Sequence, residues 1–399
     1  MTKKSVILRA PLLTNSGYGV HSRQLFTWLY GRDDIDLVVE CLQWGRTPWL
    51  LDEEKENGLV GKIMECSKPI EGKKFDISFQ VQLPDEWDNR IAKINIGVSA
   101  VVETDRCNSD WVDACNKMDH VIVPSLFTKN VVKRSGALKK PITVIPEWFS
   151  PNVMSRSKIA KCLLDERYKS ISSSEFNILL IGTLTSQQPQ DDRKNLVNTV
   201  KWIVEEFDAS ENVCIVLKTN LGKGTVIDKK MCQKYLNELK IRLMQDTNKV
   251  PKIKLVHGNM KNAEVCALYN HPGIKLYASA TRGEGYGLPL IEAAASGLPI
   301  VATGWSGHLQ FLDKELFGVV DYELEEIGDT RVDNRIFKKG FKWAAPNEAS
   351  FKREIRKVYE DNQSAKQKAK TLMKKVRTEF NKEAIKTMYD ELFEEYSKK

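Results

Sequence analysis

The chain alternates short apolar runs, rich in β-branched residues, with longer amphipathic stretches. Ser5–Arg9 reads as a strand and Gly19–Tyr30 as a helix entered from a glycine loop. Ile35–Leu42, Phe75–Phe79, Ile94–Val98, Val121–Pro124 and Ile142–Pro146 read as further strands. Apolar runs without strict alternation suit strands covered on both faces of a parallel sheet. Their alternation with helices predicts a doubly wound α/β domain. The pattern then weakens. Ser155-Arg156-Ser157-Lys158 and Ser170-Ile171-Ser172-Ser173-Ser174-Glu175 are polar and aperiodic, which predicts a linker. It restarts with Phe176–Gly182, Asn212–Lys218, Lys252–Val256, Ile274–Ala278 and Pro299–Ala302. The reading is a domain over 1–150, a linker over 151–175, a second domain over 176–375, and a closing helix over 376–399 that packs back towards the first domain. Two such domains predict a cleft between them, with ligands beyond the carboxyl ends of the strands.

Composition narrows the class. A chain of 399 residues suits two domains. Hydrophobic residues at 42% and charged residues at 29% exclude a disordered or fibrous chain. The net charge of +8 favours an acidic partner without choosing among phosphate ligands, nucleic acid and membrane surfaces. No apolar run approaches the ~20 residues that span a bilayer. The apolar run after Lys3-Lys4 is too short for a signal peptide, so the expectation is a cytoplasmic protein. The cysteines at 41, 66, 107, 115, 162, 214, 232 and 266 form no Cys-x-x-Cys pair and no zinc-finger spacing with histidine. Reduced thiols, no metal site and no resident cofactor are expected. The tail from Ser350 is helical in pattern, with Lys366, Lys368, Lys370, Lys374 and Lys375 close together. A solvated face is the ordinary reading of such a run; contact with a polyanion is the alternative.

The most informative stretch is Thr281-Arg282-Gly283-Glu284-Gly285-Tyr286-Gly287-Leu288-Pro289-Leu290-Ile291-Glu292. A strand feeds a glycine-rich loop, and Pro289 then fits the first turn of a helix. Gly297 fits the residue just past its end, with Pro299 beyond. Backbone N–H groups at such a helix start suit an anion, a phosphate above all. Glu284 in the loop and Glu292 in the first turn or so of the helix add carboxylates that accept bonds from sugar hydroxyls. A phosphate-binding backbone flanked by two such carboxylates describes a sugar-nucleotide site.

Glu284 and Glu292, seven residues apart, resemble the Glu-x7-Glu motif of family 4 glycosyltransferases. Gly285-Tyr286-Gly287-Leu288-Pro289 and Ala294-Ala295-Ser296-Gly297-Leu298-Pro299-Ile300-Val301-Ala302-Thr303 match that family's pattern, and Asp119–Ser125 with Val144-Ile145-Pro146 resemble its last N-domain strands. The resemblance implies the GT-B fold, two Rossmann-like domains, and retaining sugar transfer from a nucleotide-sugar, for which UDP is the expected base. It implies that Glu292 holds the ribose hydroxyls and that Glu284 contacts the transferred sugar. Backbone N–H groups of Gly285, Tyr286, Gly287 and Leu288 would bind sugar hydroxyls and the diphosphate. Lys194, in Asp191-Asp192-Arg193-Lys194-Asn195, resembles the family's diphosphate lysine. The arginine common just after the strand glycine is replaced by Thr183-Leu184, and Arg193 is the candidate substitute. Gly17, in Ser16-Gly17-Tyr18-Gly19-Val20-His21, resembles the family's first glycine loop. His21 is either an acceptor contact or a helix-start hydrogen-bonder. Glu103 stands near where many members carry a donor-contacting histidine; it contacts donor or acceptor, or caps a loop. His308 reads as packing.

By resemblance, the acceptor hydroxyl attacks from the face that the diphosphate leaves, and a phosphate oxygen takes its proton. Thr14–Gln24 and Gly304–Leu309 resemble family 4-like enzymes of large tailed phages, some of which glycosylate hydroxymethylated pyrimidines in DNA. That makes such a base the leading acceptor, exposed from its stack. A polysaccharide, lipid or protein acceptor is the first alternative. A GT-B-like epimerase or phosphorylase, or a non-catalytic sugar-nucleotide binder, is the second. Oligomeric state is not legible.

Overall fold

A computed structural model describes residues 3–398 apart from 46, 170, 172, 173, 185, 187, 223 and 244–250. Met1, Thr2 and part of the serine run at 170–174 thus lie outside the described residues. The chain divides into two compact units. The first comprises 1–148, 334–338 and 382–399; the second comprises 149–333 and 339–381.

The first unit contains β1 (Lys4–Ala10), α1 (Gly17–Tyr30), β2 (Ile35–Cys41), α2 (Lys55–Cys66), β3 (Phe75–Val81), β4 (Ala92–Val98), α3 (Ser109–Lys117), β5 (His120–Val123), α4 (Leu126–Ser135) and β6 (Ile142–Val144). Its strands form one parallel sheet in the order β2-β1-β3-β4-β5-β6. Val6, Ile7, Leu8, Phe79, Ile96 and Val98 are fully buried, because helices cover both faces.

The second unit opens with α5 (Arg156–Leu163) and α6 (Glu166–Lys169). The expected linker is therefore largely helical. Ile159 supplies the buried contact of α5, and Tyr168 of α6 donates to Glu264 O at 2.8 Å. There follow β7 (Phe176–Ile181), α7 (Leu196–Glu206), β8 (Val213–Thr219), α8 (Val226–Leu243), β9 (Lys252–His257), α9 (Asn262–Tyr269), β10 (Ile274–Ser279), α10 (Leu288–Ser296), β11 (Ile300–Thr303) and β12 (Gly318–Val320). This sheet is also parallel, in the order β12-β11-β10-β7-β8-β9. Its core runs through Ile178, Leu180, Ile215, Leu276, Val301 and Phe351.

An antiparallel hairpin, β13 (Tyr322–Glu326) and β14 (Lys342–Pro346), precedes α11 (Glu348–Glu360) and α12 (Asn362–Glu379). Residues 334–338, between the two hairpin strands, belong to the first unit, where Arg335 pairs with Asp85 at 2.7 Å and Glu86 at 2.5 Å. The last helix, α13 (Lys382–Ser397), is also part of the first unit. Tyr389 stacks on Trp28 with ring centroids 4.9 Å apart, and Trp28 Nε1 donates to Asp390 at 2.8 Å. Tyr396 and His120 Nδ1 are hydrogen-bonded at 2.9 Å. Among the described residues, no helix is long and apolar enough to cross a membrane.

Candidate active site

Strand order decides where chemistry collects in the second unit. β7 and β10 are neighbours at the point where the order reverses, so the loops leaving their carboxyl ends meet. The first of these loops carries Asp191–Asn195 and the second carries Thr281–Gly287. They are stitched together by backbone. The Arg282 N–H donates to Arg193 O at 2.9 Å, and Arg193 Nη1 donates to Gly283 O at 2.6 Å.

Glu284 sits at this junction and is 7% exposed. Lys194 Nζ donates to both of its carboxylate oxygens, at 2.6 and 2.9 Å. Arg193 Nη1 lies 3.5 Å from Oε2, and Thr281 Oγ1 donates to Oε1 at 3.1 Å. Burial alone would raise this carboxyl. The two cations outweigh it and hold the group down at about 2.

A second ring of contacts fixes Glu284 from behind. Its N–H donates to Ser306 Oγ at 2.9 Å, and its carbonyl accepts from the Gly307 N–H at 2.8 Å. His308 Nε2 donates to Thr303 O at 2.7 Å, which leaves Nδ1 to accept from Ser306 Oγ at 3.4 Å. Ser306 has φ +91°, a conformation that costs a non-glycine residue strain. At Gly307 a Cβ would fall 2.0 Å from Gly285 O, so only glycine fits. Thr281, Thr303 and Ser306 were missed by the sequence reading. Gly307 was the visible signal; nothing in a serine or threonine announces contacts 22 residues away.

The helix that follows begins at Leu288, has Pro289 in its first turn, and ends at Gly297 with φ +75°. Gly285, Tyr286 and Gly287 are buried, and Gly287 caps the helix at φ +103°. Glu292 is the fifth residue of α10, so it lies in the second turn and not the first. Its half-buried carboxyl has no side-chain hydrogen bond among the described residues. It stands near Cys266, Tyr269 and Tyr277, and burial pushes it up to about 7. The two carboxylates of the motif are thus driven in opposite directions.

In the first unit, Ser16 caps α1 by accepting the Gly19 N–H at 3.0 Å. Nothing lies within 4 Å of a Cβ at Gly17, whereas one at Gly19 would meet Thr14 O at 2.1 Å. The Tyr18 hydroxyl pairs with Ser99 Oγ at 3.0 Å and accepts the Ala100 N–H at 3.1 Å. Its ring stacks on Trp44 at 4.0 Å. The Ser99 loop then passes through Val101 at φ +56°, a strained position for a β-branched residue, and reaches half-buried Glu103. Glu103 lies near enough to raise the Tyr18 phenol, after the larger effect of burial. Gly17 and Glu103 are therefore brought to one neighbourhood. His21 is not. It is 3% exposed, with Nε2 3.2 Å from the Tyr389 hydroxyl, and burial lowers it to about 4. The ring packs α1 against α13.

Among the described residues, one group brings metal-ligating atoms together. Asp228 Oδ1, Cys232 Sγ and His257 Nε2 lie within 4.8 Å of one another. The donor types suit a divalent cation. The carboxylate oxygen already accepts from His257 at 2.7 Å, the Leu221 N–H at 3.0 Å and the thiol at 3.4 Å. The sequence reading overlooked this group because its spacing is not that of a zinc finger.

Residues 273–386 match the family described as family 4 glycosyltransferase in conflict systems. No curated protein matches the chain by sequence. Among solved structures, Anabaena HepE in complex with UDP-glucose aligns over 98% of this chain and 100% of its own, at 14% identity and a TM-score of 0.62. Sucrose-phosphate synthase from Thermosynechococcus elongatus aligns over 98% and 99%, at 15% identity and a TM-score of 0.63. A glycosyltransferase from Rickettsia africae aligns over the full length of both chains, at 14% identity and a TM-score of 0.65. With two parallel six-stranded sheets matched end to end to these enzymes, the chain has the GT-B fold, and its residues 273–386 carry the likeness to family 4 glycosyltransferases.

Proposed function

We propose that this chain is a retaining glycosyltransferase that moves a sugar from a UDP-sugar to a hydroxyl acceptor. The observation that carries this reading is the convergence of Lys194 and Arg193 on Glu284, beside the amino end of α10. Cations and a helix start supply what a departing diphosphate needs, and Glu284 and Glu292 supply acceptors for sugar and ribose hydroxyls. HepE, which shares the fold, is described in complex with UDP and glucose.

In the proposed reaction the bond from the sugar's anomeric carbon to the diphosphate oxygen breaks. The acceptor oxygen forms the new bond on the same face, and its proton passes to a phosphate oxygen. Lys194, with the N–H groups of Gly285–Leu288, offsets the charge that builds on the leaving group. Glu284 orients the transferred sugar. Glu292 holds the ribose. Gly17 and Glu103 are assigned to donor and acceptor contacts. The acceptor to test first is a hydroxymethylated pyrimidine in DNA, supported by the likeness of Thr14–Gln24 and Gly304–Leu309 to phage enzymes.

The test is nucleoside-diphosphate release from UDP-, GDP- and ADP-sugars, with and without DNA carrying hydroxymethylated pyrimidines. Release from a UDP-sugar that rises with modified DNA and disappears in Glu292→Ala is the expected result. Release that rises only with glycan, lipid or protein acceptors would move the acceptor. UDP binding without turnover on any acceptor would refute the transferase.

A further inference from the structure

Two consecutive helices near the end of the chain carry many cations and treat them differently. On α11 every one is neutralised. Lys352 pairs with Glu205 and Glu348, and Arg353 with Asp321 and Glu354. Arg356 pairs with Glu206 and Glu211, and Lys357 with Glu354. On α12, Lys366, Lys368, Lys370 and Lys374 are exposed and have no acidic partner among the described residues. Only Lys375 finds one, Asp313 at 3.5 Å. The sole acidic residue of α12 is Glu379, at its last position.

The uncompensated charge extends beyond the helix. Lys366 and Lys370 line a depression of about 410 Å³ with Asn270, His271, Gly297 and Met373. Lys275 lies close by; burial, then Lys366, lowers its ammonium. At the other end, burial and then exposed Arg156 lower the Arg377 guanidinium. Lys275 and Arg377 thus each feel a like charge, from Lys366 and from Arg156. A solvated helix normally alternates its signs, as α11 does.

We infer that the lysine face of α12, continued by Lys275 and Arg156, is a docking surface for the phosphate backbone of nucleic acid. Lys366, Lys370 and Lys374 fall one turn apart along one stripe and span about 12 Å. That spacing suits successive phosphates of a rod-like polyanion. A bilayer is the poorer fit. A membrane-surface helix needs apolar residues beside its lysines, whereas the apolar residues Ala369, Leu372 and Val376 of α12 are buried in the unit. Arg377 donates to Ala295 O at the carboxyl end of α10, so this surface lies at the end of that helix remote from Glu284. It would hold the polymer without competing for the donor. The inference deepens the DNA-acceptor reading by adding a second contact, and it can be tested without any sugar transfer.

The experiment measures binding of the full chain to a fluorescent, unmodified 30-base-pair duplex across a salt series. Lys366, Lys368, Lys370 and Lys374 are changed together to Gln. A control changes Lys73, Lys74, Lys229 and Lys230 to Gln, with the same loss of net charge elsewhere. Wild-type affinity should fall steeply with salt, and the α12 variant should bind at least tenfold more weakly. Its log–log salt slope should be shallower by about 3–4, one condensed counterion per lysine. The control should stay close to wild type, and UDP binding should be equal in all three. No duplex binding by the wild type, equal weakening in both variants, or binding to anionic vesicles in place of duplex would each overturn the inference. UDP-sugar turnover on a non-nucleic acceptor would leave the transferase standing in any of those cases.

Discussion

Glu284 and Glu292 carry the same side chain and face opposite electrostatic demands. Glu284 is an anion clamped by two cations, so Glu284→Gln should leave Lys194 and Arg193 facing each other without their counter-charge. We predict a fall in turnover of about 10²–10³-fold, measured as kcat for UDP release with the fold verified by circular dichroism. Glu292 behaves in the reverse sense. Its carboxyl, raised to about 7, favours the protonated form in the fold. That contribution is fully present below the ordinary carboxylate range and is lost as pH rises through 7. Glu292→Gln cannot ionise. It should therefore be more stable than wild type at pH 8 by about 1–2 kcal/mol, with the full shift discounted for partial exposure, and equal to it at pH 4. Denaturant midpoints at the two pH values check this. The same variant should bind UDP more weakly at pH 8, where wild type offers a carboxylate to the ribose. A gain in stability with unchanged UDP affinity would remove the ribose role.

At the level of elements, the two glycines opening α1 make a sharp comparison. Gly19→Ala drives a methyl into the Thr14 carbonyl and should cost about 2–3 kcal/mol or more. Gly17→Ala meets nothing and should change stability by less than about 1 kcal/mol. Thermal unfolding of the pair decides it. Such elements show what a sequence discloses. Eleven of the twelve parallel strands were legible to within a residue or two as short apolar, often β-branched runs; the three-residue β12 was not, because Gly-Val-Val is too short to stand out. The ends of α10 were legible because Pro289 and Gly297 mark them chemically. The hairpin β13–β14 escaped because Tyr-Glu-Leu-Glu-Glu has no apolar run; its order comes from pairing with Lys342–Pro346. The 151–175 segment reads as a linker for a related reason: α5 opens on Arg-Ser-Lys and buries a single residue, Ile159. In the site, glycines and charges announced themselves by type. Ser306 did not, since its importance lies in a backbone angle that serine rarely adopts.

At the largest scale, the first unit is closed by α13. Trp28, Phe79 and Tyr389 are almost wholly buried, and α13 contributes Tyr389 and Phe393 to that packing. Losing buried aromatic contacts costs about 3–5 kcal/mol each, so deleting 382–399 should unfold the first unit. Hydrogen exchange should show lost protection in β1, α1 and β3, with β7, β8 and α10 protected as in the intact chain. Retained protection in β1 and α1 would show that α13 is dispensable. The same arrangement sets a timetable for birth on the ribosome. From Trp148 to Ser397, about 250 residues must still be translated before the first unit has α13. At roughly 5–20 residues per second, this lasts about 12–50 s. Throughout that interval Trp28 lacks Tyr389 and Phe393, the two rings of α13 that pack on it in the fold.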